Sequence, residues 1–331
     1  MSNKKFLFVY ILMLVSVFVV FLFSLAIGLD GISFVDAVKA LFGGAVDENV
    51  VVMIKQIRFP RIFMACIVGA GLAVSGCVFQ AILKNPLADP FTLGISGGAS
   101  LGAVAAFISG LAAIRSFFIP FCAFAGMIVS VSVVYLLSMR KRFNSNAMIL
   151  SGVVVSYIFS SAVMLMFALS PENSVQTAFL WLMGNFSSFD ERLLPFITAV
   201  VPICIIILSL SGNIINVVSL GGEKSKTFGI NIERNIKFLF LTASFVTAAT
   251  VSICGVVGFV GLMIPHIMRK IMGTNNVILI PASAFAGAFF LPLCDTLSRM
   301  LFSPVLIPVG VITSIIGGLF FICLLLKPDR K

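Results

Sequence analysis

Long apolar runs separated by brief hydrophilic breaks dominate this chain. Ten runs are long enough to read as membrane spans, over residues 6–28, 61–83, 91–111, 117–139, 147–169, 193–210, 236–253, 256–272, 277–301 and 309–326. A helix crossing a bilayer needs about 20 predominantly apolar residues, and the pattern predicts an all-α polytopic membrane protein. Residues 236–272 are the tightest fit, because they must hold two short spans, or one span and a re-entrant piece, around Gly255, Gly258, Gly261 and Pro265. Irregular backbone at that depth must be covered by protein or line a cavity. The longest polar stretches, 30–60 and 211–235, are too short to form a soluble domain, so residues 1–331 read as one transmembrane domain.

Composition agrees with this pattern. Hydrophobic residues make up 60% of the 331 and charged residues 10%, against about 25% charged in ordinary soluble domains. Mean hydropathy is +1.18. The net charge of +10 would by itself suggest an anionic partner such as nucleic acid, but the Lys and Arg lie in the breaks between apolar runs. With the N-terminus inside, ten spans place Lys4, Lys5, Lys84, Arg140, Lys141, Arg142, Lys224, Lys226, Arg234, Lys237, Arg269, Lys270, Lys327, Arg330 and Lys331 in the cytoplasm, and Lys39, Lys55, Arg58, Arg61, Arg115, Arg192 and Arg299 outside. That asymmetry follows the positive-inside rule and puts both termini in the cytoplasm. The first run is longer than the apolar core of a signal peptide and reads as a retained span.

The chemistry-bearing residues mostly exclude functions. There is no phosphate loop of the GxxxxGK[ST] form, so the chain is not expected to hydrolyse ATP. One histidine, His266, leaves no His cluster or triad. The seven cysteines are scattered singly through apolar runs, as small buried hydrophobes. Gly69, Ala70, Gly71, Ala73, Ser75 and Gly76, and again Gly97, Gly98, Ala99, Ser100 and Gly102, predict helices in close contact. Asp295 is the main ionisable group inside a span, with Arg299 four residues on, the spacing of an intrahelical ion pair. An ion-driven carrier needs several such groups at mid-membrane. The segment 219–230 mixes charge with Leu220 and Phe228 between glycines, and reads as a solvated loop or as a docking surface for a cytoplasmic partner.

Arg58-Phe59-Pro60-Arg61, then Gly69 to Gly76, Gln80 and Asn85-Pro86-Leu87-Ala88-Asp89-Pro90, resemble the iron-siderophore, haem and cobalamin permease family of ABC importers. So do Gly258-Phe259-Val260-Gly261-Leu262 with Pro265-His266-Ile267 and Arg269, and Pro308-Val309-Gly310 with Gly317-Gly318. The resemblance runs from about residue 52 to 326. It implies the ten-helix type II importer permease fold, a dimer of such subunits (homo- or heterodimer), two ATPase subunits that use the ATP, and an extracytoplasmic solute-binding protein. No cofactor or metal is expected on this chain itself. By residue, it implies docking of the binding protein at Arg58, Arg61 and Arg299, coupling to the ATPase at Leu220, Gly221, Glu223, Phe228 and Gly229 within a loop of about 212–235, and a cytoplasmic gate at Asn144, Ser145 and Asn146. Two positions depart from the family pattern: Leu306 stands where an acid is usual, and Asn275-Asn276 where His-Arg is usual. The expected function is the permease subunit of an importer carrying a metal chelate across the cytoplasmic membrane. A secondary carrier driven by an ion gradient is the alternative, and an intramembrane enzyme is disfavoured by the lack of paired acids.

Overall fold

The computed structural model describes residues 3–27, 32–141, 143–186, 190–220, 231–301 and 306–326. Among these the fold is all-α. Helices α1 (Asn3–Ala26), α2 (Phe34–Phe42), α3 (Glu48–Val52), α4 (Phe59–Leu83), α5 (Ile95–Ile108), α6 (Leu111–Ile114), α7 (Phe118–Arg140) and α8 (Ser145–Ala168) are followed by α9 (Glu172–Leu182), α10 (Leu194–Leu210), α11 (Gly212–Leu220), α12 (Ile232–Cys254), α13 (Val260–Met272), α14 (Asn276–Met300) and α15 (Val309–Leu325).

Each expected span coincides with a helix. Among the described residues, seven helical stretches are long and apolar enough to cross a membrane: Phe6–Ala26, Glu48–Leu83, Phe118–Arg140, Ser145–Ala168, Glu191–Leu210, Ile232–Cys254 and Asn276–Met300. Two shorter apolar helices are α5 and α15. The ambiguity over 236–272 resolves into one full-length helix, α12, a left-handed Gly255 (φ 75°) and the 13-residue α13. At 1.5 Å per residue α13 is only about 20 Å long, shorter than a hydrocarbon core.

Short helices α2, α3, α6, α9 and α11 were not visible in the hydropathy pattern. The stretch 30–60, expected as a polar connection, contains α2, α3 and a π-helical segment, Met53–Arg58, that runs without a break into α4. Ser33 caps α2 by accepting from the Asp36 N–H, and Asp47 caps α3 by accepting from the Asn49 N–H. Helix α9 carries Trp181 into contact with Ala103 and Ala123.

Helix α4 is the centre of the bundle, buried on nearly every side from Pro60 to Leu83 and packed against α12, α13 and α14. Its small residues are what permit this. A side chain at Gly69 would overlap the Gly287 carbonyl of α14, one at Gly71 would lie 2.9 Å from Thr250 Cγ2 of α12, and one at Gly76 would overlap the Gly261 carbonyl of α13. The Gly94–Ser100 segment has the same explanation: Gly98 and Gly126 bring α5 and α7 into backbone contact. Helix α1 lies outside this core against α14, with nine of its apolar side chains exposed.

The connection from α4 to α5 is built by local bonds. Lys84 closes α4 in a left-handed conformation (φ 52°). Asp89 then accepts from the Phe91 N–H, and Thr92 reciprocates to the Asp89 N–H in a capping box that starts a 3-10 turn, Pro90–Leu93. Burial pushes the Asp89 carboxyl up to about 7, opposed by the Phe91 N–H. A raised folded-state pKa means that the folded protein holds the proton more tightly than the unfolded chain. Stability is therefore lost as pH rises from the ordinary carboxylate range through about 7. Asp89→Asn keeps the cap and should flatten this dependence, which thermal unfolding across pH 4–8 would detect; parallel curves for variant and parent would contradict it.

Candidate functional site

One end of the bundle is organised around a single carboxylate. Asp295 on α14 is fully buried. Arg61, in the first turn of α4, forks onto it: Nη2 donates to Oδ1 at 2.8 Å and Nε lies 3.1 and 3.0 Å from Oδ1 and Oδ2. Arg299, one turn along α14, pairs with Asp295 Oδ2 at 3.3 Å. The i,i+4 pair is thus present, but its partner 234 residues away was not foreseen, because no sequence pattern links the two positions.

Arg58 and Arg299 also donate to the end of α1. A helix leaves its last carbonyls without intrahelical partners, and they carry the negative end of its dipole. Here Arg58 Nη1 donates to Leu25 O at 2.8 Å and Ala26 O at 3.3 Å, and Arg299 donates to Ser24 O at 3.3 Å and Ile27 O at 3.5 Å. Thr296 Oγ1 adds a bond to Ser24 Oγ at 2.8 Å. Arg58, Arg61 and Arg299 were expected outside, as docking groups for the binding protein. They are 4%, 9% and 9% exposed, held by the Asp295 carboxylate and by carbonyls at the end of α1. Leu306 is half exposed and brings no acid.

At the opposite end, Asn144 caps α8 by accepting from the Asn146 N–H at 3.0 Å. Asn144 and Asn146 are exposed, Ser145 is half-buried as the first residue of α8, and Phe143 turns the chain with φ 53°. The three expected gate residues therefore form one turn between α7 and α8. Of the coupling residues, Leu220 ends α11 and is exposed; Gly221, Glu223, Phe228 and Gly229 lie outside the described residues. Asn275 and Asn276, which depart from the family pattern, have a local role. Asn275 caps α14 by accepting from the Val277 N–H, while Asn276 donates through its backbone N–H and its Nδ2 to Asn216 Oδ1, holding α11 to α14.

Two features went unassigned in the sequence. Gln80, buried on α4, donates to Gly261 O (3.4 Å) and Leu262 O (3.2 Å) and accepts from Arg269 Nη2 at 3.0 Å. A Gln inside an otherwise apolar span was the signal for this bridge between α4 and α13. Helix α8 presents Tyr157, Ser160 and Ser161 outward, beside a groove of about 350 Å³ lined by Phe91, Thr92, Val153, Ser156, Tyr157 and Ser160. The groove is neutral, with hydroxyls as its hydrogen-bonding side chains. Among the described residues, no group of three or more His, Cys, Asp or Glu is placed to hold a metal ion.

Residues 14–327 match the FecCD transport family. The chain is 33% identical to the iron(3+)-hydroxamate import system permease protein FhuG of Bacillus subtilis, over 99% of each chain. It is 36% identical to the cobalamin import system permease protein BtuC of Halobacterium salinarum, over 85% of this chain and 75% of that relative. Among solved structures, it superposes with a TM-score of 0.85 and 29% identity on an inward-facing transporter described as of the metal-chelate ABC type, covering 99% of this chain and all of the other. The chain therefore belongs to the FecCD transport family and is a membrane transport subunit with the fold of an importer permease.

Proposed function

We propose that this chain is the translocation subunit of an ATP-driven importer whose cargo is a metal chelate of the iron-siderophore, haem or cobalamin class. The observation that carries the reading is the full-length superposition on a transporter of the metal-chelate type. The neutral, hydroxyl-bearing face of α8 supports it, since a bulky chelate passes a wall without fixed charge more readily than one that binds it. In this reading two such permeases pair, as a homodimer or with a related chain. Separate ATPase subunits supply hydrolysis from the cytoplasm, and the chain carries no cofactor of its own. The N- and C-termini face the cytoplasm, and an extracytoplasmic binding protein delivers the cargo.

The site assignments follow from that orientation. The binding protein docks over the centre formed by Arg58, Arg61 and Arg299. An acidic group of the partner would exchange with α1 carbonyls for the Arg58 and Arg299 donors, while the Arg61 fork stays on Asp295. Docking and the seating of α1 are then coupled, and reversing Arg58 to Glu should weaken both. The coupling surface comprises Leu220 with Gly221, Glu223, Phe228 and Gly229. Docking would take the exposed Leu220 side chain out of water, so Leu220→Asp should release the ATPase in co-purification while the spans stay folded; undiminished co-purification would count against it. The turn Asn144, Ser145 and Asn146 narrows the cytoplasmic exit. Cysteine placed at Ser145 should be alkylated from the cytoplasm in one nucleotide state and protected in another, and equal labelling in every state would refute the gate.

The rival reading, a carrier driven by an ion gradient, has little to work with. Asp295 is the carboxylate buried within the described spans, and it is occupied by two guanidiniums. Transport in proteoliposomes separates the two. Uptake that needs the ATPase and ATP supports the importer, and uptake by the chain alone under a proton or sodium gradient supports the carrier.

A further inference from the structure

The end of α4 opposite the arginine centre bounds a cavity of about 260 Å³. It lies among the ends of α4, α11 and α13 and the start of α14, and its lining includes Gln80, Lys84, Ser219, Arg269, Thr274 and Asn276. Two of these are cations, and among the described residues no Asp or Glu lines the cavity. Among the described residues, neither Lys84 nor Arg269 is ion-paired to a carboxylate.

Arg269 is held in place. Its Nη2 is bonded to Gln80 Oε1, and Gln80, 3% exposed, is itself anchored through its amide to two carbonyls of α13. One edge of the guanidinium is thus fixed by a buried side chain, and the other donors of the fork remain for a ligand. Lys84 is placed by its left-handed backbone at the C-terminus of α4. That conformation is uncommon for a residue with a Cβ and turns the chain directly beneath the cavity. The start of α14 contributes the positive end of a 25-residue helix, although the Asn276 and Val277 N–H groups are already engaged by Asn216 and Asn275. The Thr274 hydroxyl completes the polar lining.

We propose that this cavity binds a phosphate group, with Arg269 as the preorganised fork and Lys84 as the mobile point charge. A phosphate offers separate oxygens to the two cations. A fork with a point charge is a recurrent pairing for phosphate oxygens. In the orientation proposed above, the cavity lies at the cytoplasmic end of the bundle. The phosphate therefore comes either from an anionic lipid of the inner leaflet or from a free phosphate in the cytoplasm.

The test uses the full chain, delipidated in an uncharged maltoside detergent. Inorganic phosphate, phosphatidylglycerol and, as controls, chloride and phosphatidylcholine are titrated at constant ionic strength. Thermal unfolding and native mass spectrometry are the readouts. The expected result is a saturable rise in Tm with a phosphate-bearing anion, and binding weaker by about tenfold or more in Lys84→Gly, as expected for loss of one charge-assisted contact. Glycine accepts the φ of 52° at this position, so this variant tests the site without threatening the fold; Arg269→Gln should weaken binding further. A response to inorganic phosphate identifies a free phosphate as the ligand, and a response confined to phosphatidylglycerol identifies the headgroup. Absence of saturation with either probe, or the same affinity in Lys84→Gly, overturns the proposal. Sensitivity of the two variants only to ATPase binding also overturns it, because the cavity would then be a notch for an acidic side chain of that partner.

Discussion

Asp295→Asn should loosen the arginine-bearing end of the bundle and lower stability by about 3–5 kcal/mol, the usual cost of removing one partner from a buried ion pair. The carboxylate is fully buried and receives Arg61 through a fork and Arg299 at 3.3 Å. An amide can accept one of these bonds but leaves two buried guanidiniums without their counter-charge. The damage should spread to α1, because Arg299 also holds the Ser24 and Ile27 carbonyls. Hydrogen exchange should therefore rise at residues 20–27 well before it rises in α4. A second variant separates charge from packing. Converting Arg61 to Met and Asp295 to Leu together replaces the fork by apolar volume, and such exchanges are often neutral or stabilising. The double variant should recover part of the loss, with Arg299 remaining on the α1 carbonyls. If Asp295→Asn unfolds like the parent and exchange at α1 is unchanged, the centre is solvated and the account of it fails.

The second large effect is expected at Gly76. A Cβ there overlaps the Gly261 carbonyl, and the obstacle is backbone rather than a side chain able to swing aside. Overpacking costs about 1–3 kcal/mol where neighbours can yield, and a helix crossing held by backbone contact yields less. Gly76→Leu should therefore give little folded protein, and Gly76→Ala a protein with a clearly lowered Tm. Because α13 would be pushed off α4, the Gln80–Arg269 bridge should break in the same variant. Gly69 supplies a control against a different helix, since its obstacle is the Gly287 carbonyl of α14. Gly69→Ala should destabilise without disturbing that bridge. Parent-like Tm values in both alanine variants would mean that the helices are further apart than described.

The spans were legible because apolar runs of the right length have few other uses, and the glycine-dense stretches of α4 and α5 were legible as contact surfaces. Helices α2, α3 and α9 were missed. They are short and carry polar residues, and their existence depends on caps such as Ser33 and Asp47 and on packing against the longer helices. The partners of the arginines were not legible for a related reason. Hydropathy assigns a charge to water unless a partner is known, and the partners here are carbonyls of α1 and an aspartate 234 residues from Arg61, which no local pattern connects. Asn275 and Asn276 appeared only as departures from a family pattern. The cap and the Asn216 bond give them a purpose that depends on α11, an element the sequence showed only as part of a loop.

The central claim, a chelate importer driven by ATP, is tested most directly by reconstitution. The full chain is placed in proteoliposomes with its pairing permease if that is a different chain, its ATPase subunit and its binding protein, and uptake of radiolabelled ferric siderophore, haem and cobalamin is measured with ATP supplied on the ATPase side. One chelate class should accumulate, uptake should stop when ATP is replaced by a non-hydrolysable analogue, and collapsing proton and sodium gradients should leave it unchanged. Chelate uptake by the chain without the ATPase, abolished by collapsing an ion gradient, would contradict the claim.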